Sequence, residues 1–246
     1  MIGLRIECSL ATPWSPPAFG LHLDGLIGWA LVEQHRRADM AARGVHDEPP
    51  AGAALDYPTI LAGLPLQKDE ATGAWCASQF FPVGWRGQER RYYTAKTPVE
   101  DMSRRINEGL VDTKGGAHID TQRGPAKNSQ GFITIEHVEG LRAWCVGDPD
   151  EIVQLLSTHV HHVGVKSRIG LGTLLEQPDG SLWRIEEDAQ AFEMWKHRSM
   201  PAKVLDDSRP AIGSWKPPYW RGQDVIWRPN VVRLPGSATS TMGHAA

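Results

Sequence analysis

Apolar residues fall on alternate positions at the start of the chain. Ile2, Leu4, Ile6 and Cys8 share one side of an extended segment running to Leu10, and this period of two predicts a half-buried strand. From Leu21 to Gly44 the period lengthens to that of a helix, with Leu26, Ile27, Ala30 and Leu31 on one face, Asp24 as the expected N-cap, and basic residues before Gly44 at the end. Arg36 and Arg37 are read as partners of that helix end. Between the two elements "ATPWSPPAFG" carries three prolines and a closing glycine, a loop. Residues 45 to 58 are a second loop. "PTILAGLPLQ" and "AWCASQFFPVG" predict an extended pair around a "KDEATG" turn.

In the second half, "FITIEHVEGLRAWCVGD" alternates on both sides of Glu139-Gly140 and predicts a hairpin. Asp148 to Gly164 predicts a helix with Asp148 as N-cap, Pro149 in the first position, and Ile152, Leu155, Leu156 and Val160 on one face. Thr173 to Glu187 predicts a hairpin about Pro178-Asp179-Gly180, and the C-terminal third reads as irregular. Recurring strand-helix-strand units predict an α+β fold of ferredoxin or RNA-recognition type. The expected organisation is one domain over residues 1–235, interrupted by an insertion at about 85–131, and then a disordered tail, 236–246. Within the insertion, Gly115 to Gly131 holds four glycines and few apolar residues, so it predicts an exposed arm.

Composition sharpens the picture only locally. The 246 residues carry a net charge of −3, yet nine Lys or Arg stand against six Asp or Glu between Arg86 and Lys127, leaving that segment at +3 and the rest at −6. A basic surface on an acidic body suits one polyanionic partner, although a solvated charged face has the same signature. Ten tryptophans outnumber the phenylalanines and tyrosines together, and a few of them are expected at contact surfaces. Three widely spaced cysteines suit a reducing cytoplasm. No apolar run is long enough to predict a membrane helix.

The segment "HHVGVKSRIGLGTLL", His161 to Leu175, holds the densest chemistry. Its glycines follow a helix and precede a strand, the reverse of a Walker or Rossmann loop, so no helix N-terminus faces a phosphate. Phosphate would be held instead by Lys166, Ser167, Arg168 and backbone N–H groups freed around Gly170 and Gly172. A tight helix-to-strand connection accounts for the same residues. His159, His161 and His162 lack the further ligands that a zinc site needs, and no cofactor fingerprint is present, so neither metal nor cofactor is expected. His22, with Tyr92, Tyr93 or Lys166, has the residue types of a metal-independent ribonuclease.

Three stretches in order carry a resemblance. "SLATPWSPPAFGLHLDGLIGWAL", "CVGDPDEIVQLLSTHVHHVGVKSRIGLG" and "SWKPPYWRGQDVIWRP" resemble the Cas-five-like subunit of type IV CRISPR systems, within the RAMP superfamily. That resemblance implies a RAMP fold whose Gly-rich loop touches RNA, and a non-catalytic, cytoplasmic subunit of a ribonucleoprotein complex serving antiviral defense or plasmid interference. The subunit would cap the 5′ repeat-derived handle of the crRNA. It would contact a Cas-seven-like backbone subunit, the large subunit and target DNA near the flanking motif. The RNA contacts expected are Lys166, Ser167, Arg168, Gly170 and Gly172 in the loop, Arg123 and Lys127 in the arm, and Tyr219 and Trp220 as stacking rings. The other reading is a Cas-six-like guide-processing endoribonuclease with His22 as general base.

Overall fold

Strand β1 (Ile2–Leu10) follows its alternating pattern. Leu4, Ile6, Cys8 and Leu10 are buried on one face, while Arg5, Glu7 and Ser9 are half-buried on the other. The structure, a computed structural model, describes residues 1–44, 55–96, 98–109, 128–217, 219 and 224–229. After β1 come α1 (Leu23–Ala42), α2 (Tyr57–Ala62), β2 (Phe81–Val83), β3 (Gly87–Ala95), α3 (Val99–Asn107), β4 (Ser129–His137), β5 (Gly140–Gly147) and α4 (Pro149–His159). They are followed by β6 (Leu174–Leu175), β7 (Arg184–Glu187), α5 (Ala191–Met194), β8 (Ser208–Gly213) and β9 (Asp224–Pro229). The chain is a mixed α+β protein of two units, Met1–Gly87 with Glu136–Ala246, and Gln88–Ile135.

The first unit is built on β1. Antiparallel β5 runs along one edge of it, from Ile2 opposite Gly147 to Ser9 opposite Gly140, and β2 continues the sheet beyond β5. On the other edge β6 pairs with Ser9 and Leu10, and β7 pairs with Leu4 to Glu7. Helices α1 and α4 contact each other, and their apolar residues, among them Ile27, Ala30, Ile152, Leu155 and Leu156, join the inward face of β1 and β5 in one core. The α4 cap is as expected: the Asp148 carboxylate accepts the Asp150 and Glu151 N–H groups at 3.1 and 3.2 Å.

Several expectations are corrected. The two runs flanking Glu139-Gly140 are not hairpin partners, because β4 pairs with β3 whereas β5 pairs with β1 and β2. The turn at Pro178–Gly180 exists, with Gln177 N–H on the Ser181 carbonyl at 2.8 Å, but β6 and β7 are both antiparallel to β1 and so run in the same direction. They form one interrupted line along β1. "PTILA" is helical, started by Asp56 and Pro58; the extended pair begins only after it, with Leu66–Lys68 on one side of the Asp69–Gly73 turn and Trp75–Ala77 on the other, Lys68 opposite Trp75. The irregular C-terminal third contains an antiparallel pair, β8 with β9, from Ser208 opposite Pro229 to Gly213 opposite Asp224.

Asp24 is not the N-cap of α1. His22 precedes the helix in an extended conformation, and Asp24 lies in the first turn, fully buried. Its partner is Arg198, also fully buried. The guanidinium donates to Asp24 Oδ2 at 2.9 Å, to the carbonyls of Trp75 (2.8 Å), Ala77 (3.1 Å), Ser199 (3.2 Å) and Trp215 (2.6 Å), and to the Tyr219 hydroxyl at 2.6 Å. Tyr219 in turn donates to Asp24 Oδ1 at 2.7 Å. Burial alone would pull the arginine pKa down; Asp24 and Tyr219, through charge and hydrogen bonds, together outweigh it and hold the group above its ordinary value. One planar cation thereby joins the start of α1, the Trp75–Ala77 strand segment and the 215–219 segment. Gly25 completes the arrangement, since a Cβ there would meet Tyr219 Cε2 at 2.8 Å.

In the second unit β3 and β4 form a two-stranded ribbon. Helix α3 has Glu100 and Asp101 in its first turn and Arg104 and Arg105 in its last, matching the helix dipole at both ends.

Removing one partner of a buried ion pair leaves the other uncompensated, a loss of about 3–5 kcal/mol. Arg198→Met and Asp24→Asn should each lower the urea midpoint of unfolding by a corresponding amount. Wild-type midpoints in both would show that the network does not hold the fold.

Candidate nucleic-acid interface

Helix α4 ends at His159, and Val160 turns out of it in an extended conformation. The chain then makes a loop that is anchored at its base and open at its tip. At the base, Val163 N–H donates to the Gly172 carbonyl and Gly172 N–H to the Pro13 carbonyl, both at 2.8 Å; Val165 N–H reaches the Ser15 carbonyl at 2.9 Å. Thr12 adds a side-chain brace, its hydroxyl on the Gly170 carbonyl at 2.8 Å. The proline-rich segment after β1 is therefore the cradle of the loop. At the tip, Val165 to Gly170 are all exposed, and Ser167–Ile169 form a single 3-10 turn.

Backbone conformation separates the glycines by cause. Gly172 is buried at φ 69°, and a Cβ there would fall 1.9 Å from the Val163 carbonyl oxygen, so its requirement for glycine arises within the protein. Gly170 has φ 83° with nothing within 4 Å of the missing Cβ. Lys166, at φ 67°, is the one non-glycine residue in the left-handed region among the described residues. That conformation costs about 1–3 kcal/mol and persists only where the surroundings enforce it. Its enforcement here comes from the bonds on both sides of it, and the result is that Lys166, Ser167 and Arg168 are presented together. Arg168 has no ion-pair partner among the described residues.

The other expected contacts are placed differently. One ring face of Tyr219 is stacked on His22, with centroids 4.8 Å apart, and its hydroxyl is committed to Asp24 and Arg198. Burial raises its pKa well above the ordinary phenol value, so it remains a donor. Trp220, Arg123 and Lys127 lie outside the described residues. The outward face of the β1 sheet carries ion pairs: Arg5 meets Glu186, Glu7 (3.3 Å) and Asp188 (3.6 Å), and Arg142 meets Glu7. Arg36 and Arg37 pair with Glu33 rather than with the end of α1, and their hydrogen bonds hold the Glu33 carboxyl down at about 2.

His22 does not have the environment of a general base. It is buried, and Nε2 accepts the Ser199 N–H at 3.2 Å. Burial, and after it the charges of Arg198 and Arg228, keep its pKa well below the ordinary value. His159 is buried, whereas His161 and His162 are exposed. Among the described residues no three His, Cys, Asp or Glu side chains gather as metal ligands. Sequence reasoning missed Arg198. A lone arginine in "KHRSM" carries no motif, and only the buried carboxylate of Asp24 gives it meaning.

Two measurements test this account. Gly172→Ala should lower the melting temperature far more than Gly170→Ala, because the first adds a clash to the strain that both share; equal losses would contradict the anchored base. His22, His159 and His197 are all shifted below the ordinary value near 6.5, chiefly by burial, so each takes up a proton more readily once the chain unfolds. Stability is therefore present above about pH 6.5 and lost below it, by up to about 1.4 kcal/mol per pH unit for each histidine. His22→Asn should flatten the acid side of a melting-temperature profile, and an unchanged slope would place the titration elsewhere.

Among the described residues no helix is long and apolar enough to cross a membrane. No curated protein matches the chain. A family model does: that of the CRISPR type IV associated protein Csf3 matches residues 3–230, which takes in the β1 sheet, the loop after α4 and the β8–β9 pair. The chain belongs to the Csf3 family, the Cas5-like subunit of type IV CRISPR systems.

Proposed function

We propose that this chain is a non-catalytic subunit of a type IV effector ribonucleoprotein that holds the 5′ repeat-derived handle of the crRNA. The observation that carries the reading is the exposed tip of the loop after α4. It combines two cations and a hydroxyl, at Lys166, Arg168 and Ser167, on a base locked to Pro13 and Ser15. Single-stranded RNA is gripped through its phosphates and through close backbone approach. The open side of Gly170 leaves room for that approach.

The element order supports a ferredoxin-like, RAMP-type domain. Leaving out the second unit, β1-α1-β2-β5-α4-β6/β7 is a β-α-β-β-α-β series with β1 and β5 in the middle of an antiparallel sheet. In this reading residues 1–235 are one RNA-binding domain and the segment near 85–131 is its insertion. Arg123, Lys127 and Trp220 remain RNA contacts proposed from sequence. Cas-seven-like backbone and large subunits, and target DNA near the flanking motif, are the neighbours this role implies. Guide processing by His22 is disfavoured by its burial and its bond to Ser199.

Lys166→Ala with Arg168→Ala should weaken binding of a repeat-derived handle RNA and reduce the slope of log affinity against log salt by about 1.4, the share of two phosphate contacts on a single strand. Precursor RNA should remain intact with the wild-type protein. An unaltered affinity and slope would remove the loop from the interface.

A further inference from the structure

Helix α1 carries an exposed tryptophan. Trp29 is 52% exposed, and its indole N–H has no hydrogen-bond partner among the described residues. Two apolar clefts meet at that ring. One, of about 260 Å³, lies between α1 and α2, with Leu61 and Pro217 among its walls. The other, of about 340 Å³, is walled by Pro17, Phe19 and Leu26. Gly25, Trp29 and Tyr219 line both. Near Phe19, itself 50% exposed, the surface becomes basic. The Arg228 guanidinium lies over the Phe19 ring at 5.1 Å and donates to the Ala18 carbonyl at 3.3 Å. Arg209 stands directly opposite Arg228 across the β8–β9 pair, and like charges so placed repel. Burial, and after it the Arg209 charge, lowers the Arg228 pKa. Asp207, just before β8, and Asp224, at the far end of the same face, pair with neither arginine.

We infer that this groove docks a proline-rich segment of a partner protein in the polyproline II conformation, with carboxylates at the end that reaches Arg209 and Arg228. In that conformation every third residue returns to one face about 9 Å further on, so apolar side chains can enter neighbouring clefts across a single aromatic ridge. A polyproline II segment makes no internal hydrogen bonds, and its carbonyls are free to accept the Trp29 indole N–H. An α-helix uses those carbonyls internally. An added strand needs a sheet edge, which the helical wall of this groove does not offer. Carboxylates on the segment relieve the repulsion between the two arginines. A nucleotide strand fits less well, because it brings a phosphate with every residue. Among the described lining residues only Glu33 and Arg36, which pair with each other at 2.8 Å, are charged at pH 7. The surface is separate from the phosphate grip, since it uses none of Lys166, Ser167 and Arg168.

The test uses the full chain and two fluorescein-labelled peptides, LPPLPPLPDDD and DDDLPPLPPLP, which present the two chain directions. Anisotropy should show at least one of them binding with a Kd below about 1 mM. Trp29→Ala should weaken that binding at least about tenfold, the effect of a central anchor. Trp29→Phe, which keeps a ring and loses the N–H, should fall between the two. Arg209→Gln should remove the advantage of the aspartate peptide over its lysine counterpart. Replacing the prolines of the peptide by glycine should weaken binding at least as much as Trp29→Ala does. Trp29→Ala should melt like wild type and bind handle RNA like wild type. Absence of binding by both peptides, equal affinity of Trp29→Ala, or tighter binding of the lysine peptide would overturn the proposal. So would a loss of handle-RNA binding in Trp29→Ala, which assigns the groove to nucleic acid, or a wild-type dimer that Trp29→Ala dissolves, which assigns it to a second copy of the chain.

Discussion

The fold depends on a buried cation that would be intolerable without its partners. Arg198 is wholly removed from water, and each of its nitrogens finds an oxygen. Most of those oxygens are backbone carbonyls. They belong to separate stretches of chain, around residues 75–77, 199 and 215, so the guanidinium sets the spacing of segments that share no strand pairing through it. Asp24 supplies the charge that makes the burial possible, and Gly25 beside it lets the Tyr219 ring close the network. A lysine could not substitute, because a point charge with three donors cannot satisfy acceptors spread around a plane.

That network explains why two short stretches far apart in sequence, "LDG" near residue 24 and "PPYW" near residue 219, belong to one pattern. Both are faces of the same contact. Tyr219, whose ring and position suit a nucleobase platform, is held by its hydroxyl and by His22 for the interior. The loop after α4 shows the complementary situation. Its inner glycine serves the packing of the chain on itself, while its outer residues are exposed. Rigidity at the base and exposure at the tip are what a phosphate grip requires, since side chains already positioned lose less entropy on binding.

Charge is deployed in the same divided way. Over the β1 sheet and along α1, arginines face carboxylates on neighbouring positions and largely cancel. Arg104 is likewise compensated by Asp101 and Glu108. Arg168 on the loop and Arg90 on the ribbon are among the described cations with no ion pair, and they stand beside exposed backbone or exposed rings. Net charge alone, at −3, conceals this arrangement.

Local rules determined much of the molecule in advance. The period of β1, the helical run of α1 and the Asp148-Pro149 start of α4 follow from side-chain spacing and, for α4, capping chemistry, which act within a few residues. The position of the glycine loop, after a helix and before a strand, was equally legible. Tertiary structure decided what local rules cannot reach: that β5 pairs with β1 and not with β4, that β6 and β7 share an edge, and that Asp24 faces inward to Arg198. Strand partners are chosen by which edge remains unsatisfied once the core has formed. A buried charge is given its meaning by a counter-charge 174 residues away. Neither choice leaves a trace in the spacing of neighbouring residues, because the interactions that make it exist only after the chain has closed on itself.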